Sequence, residues 1–236
     1  MMPDIYSEIP HSAMAIFAHP DDAEMACGGT LAKWASEGSS LTLIVCAKGD
    51  KGNNDPLTDL VQLENTRKDE AIRGSECLGI KETIFLGIPD GEIEADRNLI
   101  GRLVEIIRFH RPDVLICPDP TAIFFGQAYY NHRDHRMVGW ATLDAASPSA
   151  ANPLYFPESG EMHSVPLALM TGTLEPDICI DITAEVEVKA KAVSCHESQI
   201  GPNPRWVEDV IRQRGREFGQ KVGFQYGEGF RKVRFG

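Results

Sequence analysis

Four short, uninterrupted apolar runs dominate the first half of this sequence: MAIFA (14 to 18), LTLIVCA (41 to 47), TIFLGI (83 to 88) and VLICP (114 to 118). Each is a strand's length, and none alternates apolar with polar residues. A strand that is apolar on both faces must be covered on both faces, which a parallel sheet layered between helices provides. The intervening segments GGTLAKWASEG, 60 to 78 and LIGRLVEIIRFH read as those helices. In the second, Leu60, Leu63, Ala71 and Leu78 fall near one face, and Gly79 is a plausible stop. The pattern predicts an α/β fold: a Rossmann-like, doubly wound, mostly parallel sheet with helices on both faces. From about 120 to 165 it loosens into a segment rich in aromatics, Gly, Asn and Pro around one helical stretch after His132, a type of long loop that usually carries function. VPLALMTG and ICIDIT then read as strands, and AEVEVKAKAVSCHES and WVEDVIRQRGREFGQKVG as helices. At 236 residues and 42% hydrophobic content the chain can bury a substantial core, and residues 1–236 are expected to form a single domain.

A formal net charge of -12 disfavours nucleic acid or an anionic membrane as a main partner, and the short basic RKVRF stretch near the C-terminus is too small to reverse that. No basic segment followed by an apolar one opens the chain, and no apolar run approaches the ~20 residues of a transmembrane helix. The expected location is cytoplasmic. The six cysteines are scattered with no CxxC, which points to buried free thiols in a reduced compartment, not to a zinc knuckle or a disulfide framework.

Two polar clusters interrupt this frame. In AIFAHPDDAEMACGG, His19, Asp21 and Asp22 stand immediately beyond the first run, where open α/β sheets bind their ligands. Pro20 stiffens the turn and restrains His19 to extended conformations, so His19 and Asp22 can converge on one point. Taken alone the turn fits equally an Asp that caps the next helix beside an ordinary loop histidine. A dinucleotide site fails, because no GxGxxG follows the strand and charged or titratable residues stand where phosphate needs bare N–H groups. In YYNHRDHRMVGW, His132, Asp134 and His135 follow the fourth run, which in a doubly wound sheet ends on the same edge. On its own that cluster also reads as a solvated helix start with Asp134 as a cap. Together, His19, Asp22 and His135 make a chemically complete catalytic zinc set, two imidazoles and one carboxylate with a position left for water. Asp21, His132 and Asp134 remain without metal duty.

With AHPDDAE and HRDH paired in this way, the sequence resembles the PIG-L/LmbE-like de-N-acetylases, which include N-acetylglucosaminyl-phosphatidylinositol de-N-acetylase and the deacetylases of bacterial low-molecular-weight thiol biosynthesis. FLGIPDG, Arg67 with Glu70, and KAKAVSCHESQ extend the likeness over most of the chain. The resemblance implies that His19, Asp22 and His135 bind Zn2+, that Asp21 is the general base, and that His132 is the acid. It implies that Asp134 orients the His132 imidazole and favours its protonated form, that Tyr130 polarises the substrate carbonyl, and that Arg67 and Asp90 contact the sugar. His196 falls near the pocket without an assigned role. Arg67 and Glu70, spaced i, i+3, read equally as a surface pair. Lys48, Gly49, Asp50, Lys51 and Gly52 read either as an ordinary turn or as pocket rim, and Phe124, Phe125, Tyr129 and Tyr130 as a sugar platform or a loop anchor.

The expected activity is therefore metal-dependent removal of an N-acetyl group from an N-acetylglucosamine-type amino sugar or its conjugate by metal-activated water. Amide hydrolysis needs an activated nucleophile, a polarised carbonyl and a protonated leaving amine, and the residues left over from the metal set are of the types that supply them. Competing readings are an amidase of a thiol conjugate or other N-acyl compound, a phosphoesterase, and a metabolite-binding module without turnover. The ligand set also accepts ferrous iron or another divalent ion. A homo-oligomer is compatible with the sequence.

Overall fold

All four apolar runs lie side by side in one sheet of the computed structural model, which describes residues 2–235. The strands are β1 (Asp4–Ile5), β2 (Ser12–Phe17), β3 (Ser40–Ala47), β4 (Glu82–Ile88), β5 (Val114–Pro118), β6 (Phe124–Phe125), β7 (Tyr129–Tyr130), β8 (Leu167–Thr171), β9 (Ile178–Asp181) and β10 (Gly227–Arg234). Eight of them form a sheet in the order β1-β9-β10-β8-β5-β2-β3-β4, while β6 and β7 make a separate small hairpin. Every pairing in the large sheet is parallel except the two made by β10. The helices are α1 (Asp22–Ser36), α2 (Leu60–Cys77), α3 (Arg97–His110), α4 (Arg133–Asp144), α5 (Val186–Ser194), α6 (Glu197–Ile200) and α7 (Arg205–Gly219), with an irregular helical turn at Ala145–Ala150. This is the Rossmann-like, doubly wound arrangement the apolar runs predict.

The uninterrupted apolarity has the expected cause. Ala13, Ala15, Phe17, Leu43 and Val45 pack with α1, α5 and α7, whereas Met14, Ile16, Ala18, Ile44 and Cys46 pack with α3 and α4 on the opposite face. Local chemistry sets the helix starts: the Asp59 carboxylate accepts from the N–H groups of Val61 and Gln62, and Asp96 from that of Leu99. Because the chain winds outward from β2 through β3 to β4 and then returns to β5, the strand order reverses between β2 and β5. The loops after these two strands diverge there and leave a crevice at the carboxyl edge of the sheet.

The segment containing RKVRF is not a tail. It is β10, inserted antiparallel between β8 and β9. Its Glu228 is buried and capped by two helix elements: α1 is kinked at Cys27, and the N–H groups of Gly29 and Thr30 beyond the kink donate to the Glu228 carboxylate at 3.0 and 2.8 Å. Lys189 of α5 donates to the same carboxylate at 2.6 Å, so the buried charge is both paired and hydrogen-bonded.

Arg108 orders much of the long segment after β5. Buried at the end of α3, its guanidinium donates to the carbonyls of Ser149, Ala150, Asn152, Tyr155, Phe156 and Gly160. Arg108→Met is expected to lower stability by about 3–5 kcal/mol, since the carbonyls are left buried without a donor. Denaturant unfolding checks this. No helix among the described residues is long and apolar enough to cross a membrane.

Candidate active site

The crevice at the strand reversal holds both polar clusters. His19 and Asp22 come from the turn after β2, and His135 from the first turn of α4, which follows the loop beyond β5. His19 Nδ1 and His135 Nε2 are 3.2 Å apart. The Asp22 carboxylate completes a triangle, with Oδ2 at 3.4 Å from His19 Nδ1 and Oδ1 at 3.2 Å from His135 Nε2. Ligands held at ~2.0–2.1 Å around a tetrahedral ion stand about 3.3–3.4 Å from one another, so these separations match three corners of such a site.

The outward nitrogens of both imidazoles are also provided for. His19 Nε2 donates to Asp90 Oδ1 at 2.7 Å and faces Asp134 Oδ2 at 3.4 Å. His135 Nδ1 lies 3.2 Å from Asn131 Oδ1, while the Asn131 amide donates to the Ala122 carbonyl and so keeps its own oxygen toward the ring. With a proton fixed on each outward nitrogen, it is the inward proton that an ion would displace, which leaves the lone pair a metal ligand requires. A second group, His19, His132 and Asp134, also converges, but it would engage the His19 nitrogen already committed to Asp90, and its Asp134 Oδ2 accepts from the Gly91 N–H at 2.7 Å. The first triad is the better fit.

Asp21 occupies a strained position, with φ of 112° and ψ of -24°, and its side chain makes no helix-capping bond. Asp22 does not cap α1 either; its Oδ2 accepts from the His19 N–H at 2.8 Å. The helix-cap reading of the turn is therefore replaced by a turn that frees one carboxylate. Arg67, buried in α2, donates to the Pro20 carbonyl at 2.7 Å and the Gly49 carbonyl at 3.1 Å, and reaches Asp21 Oδ2 at 3.3 Å. It does not pair with Glu70 as a surface couple: Glu70 is buried and accepts from the N–H and hydroxyl of Ser198. Burial and the neighbouring Asp22 charge push the Asp21 carboxyl up to about 6, against the pull of Arg67. Burial also disfavours ionised Asp22, but the charge and hydrogen bond of His135, with the hydrogen bond of His19, outweigh it and hold that carboxyl well below its ordinary range.

An open cleft of about 460 Å³ is lined by His19, Asp21, Lys51, Gly52, Arg67, Asp90, Gly91 and His132. The loop after β3 is thus pocket rim. His132 is exposed at the start of α4 and its Nδ1 accepts from the Asp134 N–H, so the neutral ring carries its proton on Nε2. Burial and the nearby His19 charge lower its pKa more than the Asp134 charge raises it. Tyr130 stands apart on the small hairpin, 57% exposed, its hydroxyl accepting from Arg136 at 2.6 Å; it does not line the cleft. His196 is fully buried beside Glu24, with Nε2 at 3.5 Å from Glu24 Oε1. Sequence reading passes over Asn131, although it stands four residues before His135, the spacing that brings side chains together at a helix start.

Residues 14–146, more than half of the chain, match the family model described as PIG-L: GlcNAc-PI de-N-acetylase. The chain belongs to the PIG-L family. It is 30% identical over 225 residues to diacetylchitobiose deacetylase of Thermococcus kodakarensis, covering 93% of this chain and 82% of that one. It superposes on N,N'-diacetylchitobiose deacetylase of Pyrococcus horikoshii with a TM-score of 0.87 at 28% identity, over 95% and 84% of the two chains. The 4-carboxy-2-hydroxymuconate hydratase GalB of Pseudomonas putida KT2440 aligns with a TM-score of 0.77 over 95% and 97% of the chains, but at 23% identity that likeness carries the fold alone. PIG-L membership together with the His and Asp cluster makes this protein a metal-dependent hydrolase that removes an N-acetyl group from an amino-sugar-type substrate.

Proposed function

We propose that this chain is a zinc deacetylase of small N-acetylglucosaminyl sugars of the diacetylchitobiose type, with the ion on His19, Asp22 and His135. The observation that carries the reading is the convergence of those three side chains at 3.2 to 3.4 Å beside an Asp21 carboxylate that takes no part in the triangle and faces the adjoining cleft. When bound, the ion supplies Lewis-acid polarisation of the acyl oxygen and lowers the pKa of the attacking water.

Asp21 accepts the proton that water loses as it attacks the acyl carbon, and a carboxyl held near 6 is matched to that task at neutral pH. Arg67 keeps the carboxylate aimed, and with Asp90 and Lys51 offers the charged and polar groups that hydroxyl-rich sugars require. His132 is the proton donor to the leaving amine. Its proton affinity, low at rest, rises as negative charge develops on the acyl oxygen, which is when the amine must be protonated. Asp134 holds His132 through its backbone N–H and His19 through its carboxylate. Tyr130, outside the cleft on the hairpin, would polarise the carbonyl only if the hairpin moved over the cleft.

The test is amine release from N-acetylglucosamine, diacetylchitobiose and an inositol-linked N-acetylglucosaminide, with metal-depleted and zinc-reconstituted protein. Diacetylchitobiose is expected to give the highest kcat/KM, and only with zinc restored. Absence of metal-dependent release from every compound would overturn the reading.

A further inference from the structure

The metal triad does not stand at the blind end of the polar cleft; it separates that cleft from a second chamber. His19 faces the cleft and Asp21 lines both spaces, while Asp22, Asn131 and His135 line a cavity of about 650 Å³ that runs between α1, α7, β10 and the small hairpin. The two spaces differ in chemistry. The cleft has no aliphatic or aromatic hydrocarbon side chain among its lining residues. The chamber carries the hydrocarbon side chains of Phe17, Met25, Phe125, Ile182, Ile211 and Phe218, drawn from β2, α1, the hairpin, the end of β9 and α7, with the charged groups of Lys189, Arg214, Glu217 and Glu228 also on its wall.

An N-acyl amino sugar is divided in the same way. The scissile C–N bond lies between a hydroxyl-rich ring and a hydrocarbon acyl group, so the two halves of a substrate whose amide is held at the triad must extend in different directions from it. The ring suits Arg67, Asp90 and Lys51, which leaves the acyl group facing the chamber. An acetyl group brings one methyl, and a methyl or methylene takes roughly 30 Å³, about the share of a water molecule. A cavity of about 650 Å³ accommodates far more. A space of that size and lining is in the range of pockets that bind whole small ligands.

We propose that the chamber is an acyl pocket and that the enzyme accepts N-acyl glucosamines carrying medium-length chains, from butanoyl to octanoyl, in addition to acetyl. The proposal rests on the reading that the sugar occupies the polar cleft and that the triad holds the ion. Water adds to the acyl carbon and the C–N bond breaks, giving the free carboxylic acid and the amine whatever the chain length.

The experiment measures kcat/KM for glucosamine N-acylated with acetyl, butanoyl, hexanoyl and octanoyl groups, using zinc-loaded full-length protein and amine release as the readout. Each methylene buried in the chamber is worth about fourfold. A rise of at least tenfold from acetyl to hexanoyl is therefore expected. Ala26→Phe and, separately, Phe125→Trp narrow the chamber and are expected to reduce the hexanoyl-to-acetyl ratio by fivefold or more. That ratio is taken within one preparation, so a loss of folded protein cancels from it. Hydrolysis of the acetyl compound with a flat or falling dependence on chain length would overturn the acyl pocket and leave the deacetylase reading standing. A rise with chain length that neither variant alters would place the chain elsewhere and also overturn it. Failure of all four compounds would reject the reading of the site itself.

Discussion

Asp21→Asn is expected to reduce kcat by about 10²–10⁴-fold while one ion stays bound per chain. Asparagine keeps the size of the side chain and tolerates the left-handed backbone at this position, where φ is 112°. Its amide can still be approached by Arg67, so the turn and the triad should persist, but the amide cannot take a proton from water. The pH profile gives an independent readout. Asp21 must be ionised to act as a base, so kcat/KM of the parent enzyme should fall on the acid side as that carboxyl is protonated. Burial and the Asp22 charge hold it up at about 6, and a neighbouring cation favours the ionised form. The acid limb is therefore expected at or below about pH 6, and the residual activity of Asp21→Asn should lack it. A full-activity Asp21→Asn, or one that has lost its metal, would contradict the assignment of base and ligand.

Asp22→Ala is expected to do the opposite: the ion is lost, and activity falls by about three orders of magnitude or more with it. The Asp22 carboxylate stands within 3.4 Å of both imidazoles of the triad and also accepts from the His19 N–H, so its removal takes away one proposed ligand and loosens another. Asn131→Ala removes only the partner that fixes His135, and about 10–100-fold weaker metal binding is expected from it. Competition with a chelating dye measures both affinities. Activity of Asn131→Ala should return at higher zinc, whereas that of Asp22→Ala should not. Equal effects of the two variants would mean that Asp22 is no closer to the ion than Asn131.

The sequence makes the frame of this molecule legible because its central strands are apolar on both faces, a pattern that few other environments tolerate. It makes the site legible because two titratable clusters each follow such a strand, and parallel strands deliver their carboxyl ends to one edge. His19, Asp22 and His135 meet there although 116 residues separate the two histidines. What escapes sequence reading depends on long-range partners. GEGFRKVR is charged and glycine-rich, yet it becomes β10 because β8 and β9 supply its ladder and because Glu228 finds two helix N–H groups and Lys189. Arg67 has the spacing of an ordinary surface partner for Glu70, and only the fold reveals that it turns inward to the Asp21 turn. Asp90 likewise reaches the site as the hydrogen-bond partner of His19 Nε2, in addition to lining the cleft.

The proposed mechanism has one ion on His19, Asp22 and His135 drive amide hydrolysis with Asp21 as the base. Its most direct measurement is a zinc titration of metal-depleted protein, following acetate release from diacetylchitobiose and bound zinc in the same samples. Activity is expected to rise from the background and saturate at one zinc per chain, and Asp21→Asn to bind the same single ion without the rise. Turnover in the metal-free protein, or saturation only at two ions per chain, would contradict it.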